Sequence, residues 1–215
     1  KADSITIFTK KDSGFAQGNI ILNQKRQIIK ADYLEYQNNN NQDGVSYRAT
    51  GEVSISDSSR IATCGEANYK REKEKTILKI NPKISEGNRV LTGKIIELDY
   101  EEEKLIKLFI PNSAIATTVN IGYHSPRDSL KVEDIVQYGD KMEGTELISF
   151  FRNEMLDSLR ISGMAKTTYH VFEDSIYKGK NNASGDTIIM NFKNNELGLL
   201  NILGGSEGKY IPDSI

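Results

Sequence analysis

Apolar and polar residues alternate with period two along much of this chain. From Gly93 it reads Gly-Lys-Ile-Ile-Glu-Leu-Asp-Tyr, so Ile96, Leu98 and Tyr100 face one way and Glu97 and Asp99 the other. That is the pattern of a strand with one buried face. From Gly185 the same offsets hold Ile188, Met190 and Phe192, and from Gly144 they hold Leu147, Ser149 and Phe151. Each copy leads into a charged or Asn-rich turn and then a second alternating run: Ile106-Leu108-Ile110 after the first, Leu159-Ile161 after the Gly144 copy. After the Gly185 copy, Leu197 and Leu199 share a face with Leu203. A charged turn between two alternating runs predicts a hairpin.

The N-terminal part repeats the scheme with more drift. Gly18 to Leu22 is followed by Ile28 to Tyr36, and Gly51 to Ile55 by Ile61 and by Cys64 to Tyr69. Glycine at the start of a strand suits a bend or a close backbone approach. Tyr or Phe at a fixed later offset suits a ladder of stacked rings. Strands this frequent predict an all-β layered or solenoid-like fold, and the window Leu147–Leu159 reads as strands rather than helix. The polar run Asn38–Asn41 reads as a solvated loop. Asn120–Asp128, with Gly122 and Pro126, is the best internal break, so the expectation is one domain over 1–215 with a joint near 120–130.

Length and composition narrow the function classes. The 215 residues suffice to bury a real core. A net charge of -2 gives no reason to expect nucleic acid, which needs a clustered basic face. No apolar run reaches the roughly 18–20 residues of a membrane-spanning helix. The chain opens Lys-Ala-Asp-Ser with no apolar signal core, as expected of a mature, trimmed or excised segment. One cysteine, Cys64, excludes an internal disulfide framework and a multi-cysteine zinc site; its small-residue setting suits a buried, inert thiol.

Catalytic signals are missing. His124 and His170 lie far apart with no cysteine pair between them, so they read as solvated or hydrogen-bonded side chains rather than metal ligands. Nucleophile-elbow, zinc-protease and P-loop patterns do not occur. Gly204 to Gly208 is followed by no helical pattern and reads as a β corner, not a phosphate cradle. Asp99 and Glu101 fall on the solvated side of a strand or in a turn. The expectation is a non-enzymatic binding or scaffolding protein without metal or cofactor. Its inward Ile, Leu, Met and aromatic side chains either close into a solid core or open as a trough. A trough would take up acyl chains, gaining roughly 0.8 kcal/mol per CH₂ removed from water.

The run Ala31-Asp32-Tyr33-Leu34-Glu35-Tyr36, followed by Ala49-Thr50-Gly51-Glu52-Val53, resembles the repeat of the OstA-like family. These are periplasmic lipopolysaccharide-transport proteins and the related periplasmic domain of the outer-membrane lipopolysaccharide-assembly protein. Leu91 to Tyr100, Ser162 to Tyr169, Ala183 to Ile188 and Gly204 to Tyr210 fit the same style, so the resemblance runs from about Gly14 to Pro212. It implies an elongated, twisted β-jelly roll, an open V of antiparallel strands whose apolar groove carries the lipid A acyl chains. It also implies a periplasmic address, free or as the soluble part of an outer-membrane protein. The implied partners are lipopolysaccharide and other jelly-roll proteins of the pathway, or copies of the chain, joined through edge strands. Paired cysteines found in some assembly proteins are missing here. The groove contacts expected are Ile96, Leu98, Tyr100, Ile106, Leu108, Ile188, Met190 and Phe192. The rivals are a β-solenoid surface protein with a dry closed core and a carbohydrate-active β-helix with acidic residues clustered on one face.

Overall fold

The computed structural model describes residues 1–215 apart from 25, 40–43, 124–134, 194–195 and 214–215. Among the described residues every regular element is a strand, as alternation predicts. They run β1 (Ser4–Phe8), β2 (Ser13–Gln24), β3 (Gln27–Asn39), β4 (Gly44–Ser56), β5 (Arg60–Lys70), β6 (Lys75–Lys79), β7 (Lys83–Glu86), β8 (Arg89–Thr92) and β9 (Ile95–Glu101). Then come β10 (Lys104–Ile110), β11 (Ala114–Tyr123), β12 (Ile135–Gly144), β13 (Glu146–Arg152), β14 (Met155–Glu173), β15 (Ile176–Lys193), β16 (Glu196–Leu203) and β17 (Glu207–Pro212). Pairing is antiparallel except where Tyr123 meets Ile176. The Leu147–Leu159 window is the β13–β14 hairpin. Asn38 and Asn39, expected in a loop, continue β3. His124 and most of the expected break at 120–130 lie outside the described residues.

The long strands β2–β5 and β14–β15 break register near their middles, at Gln17/Ile20, Lys30/Tyr33, Thr50/Val53 and Ser162/Ala165. A bulge bends a strand and sends its second half off in a new direction. Each long strand therefore gives one half to each of two facing layers. The first layer runs through β6, β9, β10, β13 and β16, and the second through β7, β8, β11, β12 and β17. The short strands change layer at corners, and these corners are tied along one crease. Gly65 N–H donates to Ile80 O, Thr145 N–H to Gly163 O and Asp186 N–H to Gly204 O.

The recurrent glycines sit on this crease. A Cβ on Gly144 would stand 2.7 Å from Ile161 Cγ1 and 2.9 Å from the carbonyl oxygen of Ser162; Gly185 meets Ile202 in the same way, and Gly93 meets Ile110 still more closely. In all three pairs the isoleucine comes seventeen residues after the glycine. Gly51 and Gly163 serve the bend itself, with φ of 75° and 80° in the left-handed region open to glycine. Gly204 and Gly205 form a corner between β16 and β17, as expected.

The three offsets that repeat after each glycine become three rows at increasing distance from the crease. Ile110, Leu147, Ile161, Ile188 and Ile202 pair across the first layer as the innermost row. Leu98, Leu108, Ser149, Leu159 and Met190 form the next row. Tyr100, Leu105, Phe151, Leu156 and Phe192 lie outermost, where Tyr100 faces Leu105 and Phe151 faces Leu156. One buried cluster reaches from Ala31 to Met190, filling the angle between the layers. The ring ladder appears in the N-terminal part, where Tyr36 is tilted against Tyr47 at 5.5 Å between centroids and Tyr47 stacks on Tyr69 at 6.1 Å.

Two details depart from the alternation. Ile106 is the extra residue of a bulge between Leu105 and Lys107, so it turns outward at 38% exposure while Leu105 takes the inward place beside Leu108. A period-two reading has no means of seeing an inserted residue. Leu199 and Leu203 do share a face, but it is the outer one, opposite Asn191 and Thr187; Leu200 and Ile202 face Met190 and Ile188 instead.

Candidate functional site

Beyond the innermost row the two layers part and enclose a cavity of about 780 Å³. Its first-layer wall is made by Leu98, Tyr100, Leu108, Leu159, Met190 and Phe192. The second-layer wall is one continuous cross-strand row, Ala62–Ile84–Leu91–Ala116–Met142–Thr167. Small residues recur in that row, and large ones in the facing wall, which leaves space between them that a Leu-on-Leu interface would fill.

One step further from the crease, the second layer changes character. Arg60, Glu86, Arg89, Thr118 and Asp140 pair in turn across β5, β7, β8, β11 and β12, and all five line the cavity. The mouth thus has an aromatic and aliphatic lip on one side and a polar lip on the other. Toward the C-terminal end, buried His170 bonds through Nδ1 to Asp140 Oδ1 at 2.9 Å, and its backbone N–H donates to the same oxygen at 2.7 Å. Asn120 Nδ2 donates to the other carboxylate oxygen at 2.5 Å. His170 stacks on Tyr138 with centroids 4.8 Å apart. It is a hydrogen-bonded side chain, as its sequence setting indicated. Among the described residues no three His, Cys, Asp or Glu side chains converge as a metal site.

A second cavity of about 720 Å³ continues toward the N-terminal hairpins, lined by Leu22, Ile29, Leu34, Tyr47, Ala67 and Tyr69 among others. The two cavities share Gln27, Ile55, Asp57, Arg60, Tyr100 and Leu105. At this junction the Tyr100 hydroxyl is hydrogen-bonded with Gln27 and Thr76, and burial raises its pKa above the usual phenol value.

Of the eight residues expected as groove contacts, Leu98, Tyr100, Leu108, Met190 and Phe192 line the cavity. Ile96 and Ile188 belong to the innermost row, are 0% exposed and form packed interior beneath it. Ile106 faces outward because of the bulge in β10. The second-layer wall and its polar lip were missed. Their strands β7 and β8 are four residues each, and β11 reads Ala-Ile-Ala-Thr-Thr-Val-Asn, with too little contrast to alternate.

Residues 1–104 match the family model described as LptA/(LptD N-terminal domain) LPS transport protein. No curated protein matches the chain in sequence. Among solved structures, the chain is similar to LptH of Pseudomonas aeruginosa, the LptA-homologous periplasmic component of the lipopolysaccharide transport device. The likeness has 12% identity and a TM-score of 0.44, covering 64% of this chain and 91% of that one.

Proposed function

We propose that this chain, whose residues 1–104 match the LptA/LptD N-terminal-domain family, carries lipopolysaccharide through the periplasm toward the outer membrane. The trough between the layers holds the acyl chains. The family match ends at Lys104, but the hairpins beyond it keep the same construction, since Gly144–Ile161 and Gly185–Ile202 repeat the Gly93–Ile110 contact. The chain works by binding alone, as one domain over 1–215, free in the periplasm or as the soluble part of an outer-membrane protein. Its partners are lipopolysaccharide and further jelly-roll units docking on the terminal strands.

One observation carries this reading: an apolar cavity opens along the mouth with greasy side chains on one lip and charged ones on the other. An amphiphile fits such a mouth, its tails taken out of water and its head left at the polar lip. A solid solenoid core would not leave about 780 Å³ between Leu98, Met190 and Met142. The test is photo-crosslinking in cells. A crosslinking residue at Leu98 or Met190 is expected to capture lipopolysaccharide, and one at Glu97 or Ile106, on the outer face, is not. Equal capture at all four positions would remove the trough assignment.

A further inference from the structure

We infer that Arg60 is a releasable strap across the mouth of the trough, deciding whether its two cavities are separate or continuous. This rests on the lipid-binding reading and adds to it a point of control. Arg60 begins β5 on the polar lip, yet only 14% of its side chain is exposed because it reaches across to the opposite layer. There Nη2 donates to the backbone oxygen of Glu154 at 3.0 Å, and the guanidinium lies over the Phe151 ring, 5.2 Å from its centroid. On its own lip, Nε donates to Glu86 at 3.0 Å and Nη1 stands 3.9 Å from Asp57. Asp57 in turn accepts from the N–H groups of Ser59 and Arg60, fixing the turn from which the side chain departs. A second cation converges on the same spot, since Arg26 meets the Glu154 carboxylate at 3.5 Å.

The position of the strap gives it its consequence. Arg60 lines both cavities and stands where they meet, above Tyr100 and Leu105. A fatty tail confined to one cavity leaves it closed; a tail crossing from one cavity to the other must pass beneath the guanidinium or displace it. Release is local. The far anchor is the β13–β14 turn, whose Asn153 and Glu154 are held in the left-handed region, and the near anchors stay with β5 and β7. Release breaks one charge-assisted hydrogen bond and one ring contact, which the burial of a few methylenes offsets.

The strap is tested by pulsed electron–electron distance measurement between nitroxides at Ser58 and Met155, exposed positions on either side of it, in a Cys64→Ala background. The chain without lipid is expected to give a narrow distribution, and Arg60→Gln a longer and broader one. Purified lipopolysaccharide added to the unsubstituted-Arg60 chain is expected to lengthen it in the same direction. Capture of lipopolysaccharide by a crosslinker at Leu98 is expected to be about tenfold faster in Arg60→Gln, the factor lost with one hydrogen bond to a charged group. Arg60→Lys, which keeps the charge without the planar fork, is expected to resemble Arg60→Gln. Thermal melting of each variant shows that the fold is intact. An unchanged distance in a folded Arg60→Gln overturns the strap, and an opened mouth with unchanged capture overturns its control of entry. If the parent chain captures no lipopolysaccharide at Leu98, the transport reading fails, whatever the distances show.

Discussion

Cys64 and Gly144 show how tightly single side chains are constrained near the crease. Cys64 is buried opposite Val53, and burial pushes its thiol up to about 11. The folded thiol therefore stays protonated where an unfolded one, near 9, ionises; the stability this contributes is present below about pH 9 and is lost between 9 and about 11. At pH 8 a maleimide is expected to label Cys64 only after urea unfolding, and fast labelling of the native chain would contradict its packing. Gly144 lies against Ile161 and a backbone carbonyl that has no room to move. Gly144→Ala is expected to cost about 1–3 kcal/mol in urea denaturation. Gly208→Ala, with open space around the position, is expected to be neutral within about 0.5 kcal/mol.

At the scale of the strand, β10 separates what a sequence displays from what it hides. β9 and the Asp186–Met190 stretch of β15, by contrast, obey strict alternation, so the burial of Ile96, Leu98, Ile188 and Met190 was legible residue by residue. In β10 the bulge at Ile106 shifts the inward set from Ile106–Leu108–Ile110 to Leu105–Leu108–Ile110. The sequence around it offers apolar residues on both faces, so both registers look equally good until the partner strand is known. Leu108→Ala is accordingly expected to lose about 2–5 kcal/mol, and Ile106→Ala under about 1 kcal/mol. Comparable losses from both would mean the bulge is misplaced. The opposite wall was illegible for another reason. Ala62, Ala116 and Thr167 become a surface only when β5, β7, β8, β11, β12 and β14 are brought into one layer, and small residues give no periodic signal alone.

At the scale of the molecule, both ends present strand edges. At one end, among the described residues, β1 pairs only with β2 and exposes Ile5, Ile7 and Phe8; at the other, β16 and β17 each pair with β15 and leave Leu199, Leu203 and Tyr210 exposed. Apolar edges of this kind invite another strand, and a lysine is the usual guard against it. If copies or related units join there, Leu203→Lys is expected to collapse concentration-dependent assembly to a single species in sedimentation velocity while leaving the melting temperature unchanged. Assembly that persists would place the junction elsewhere.

The strands run from crease to mouth, crosswise to the trough, so strand length fixes its depth and strand number fixes its reach. Adding one hairpin to each layer would extend the channel by about 10 Å, at roughly 4.8 Å per strand. Its bore would stay as it is. A protein built in this way measures distance by counting turns of chain, and a second molecule docked on its last strand would continue the same count.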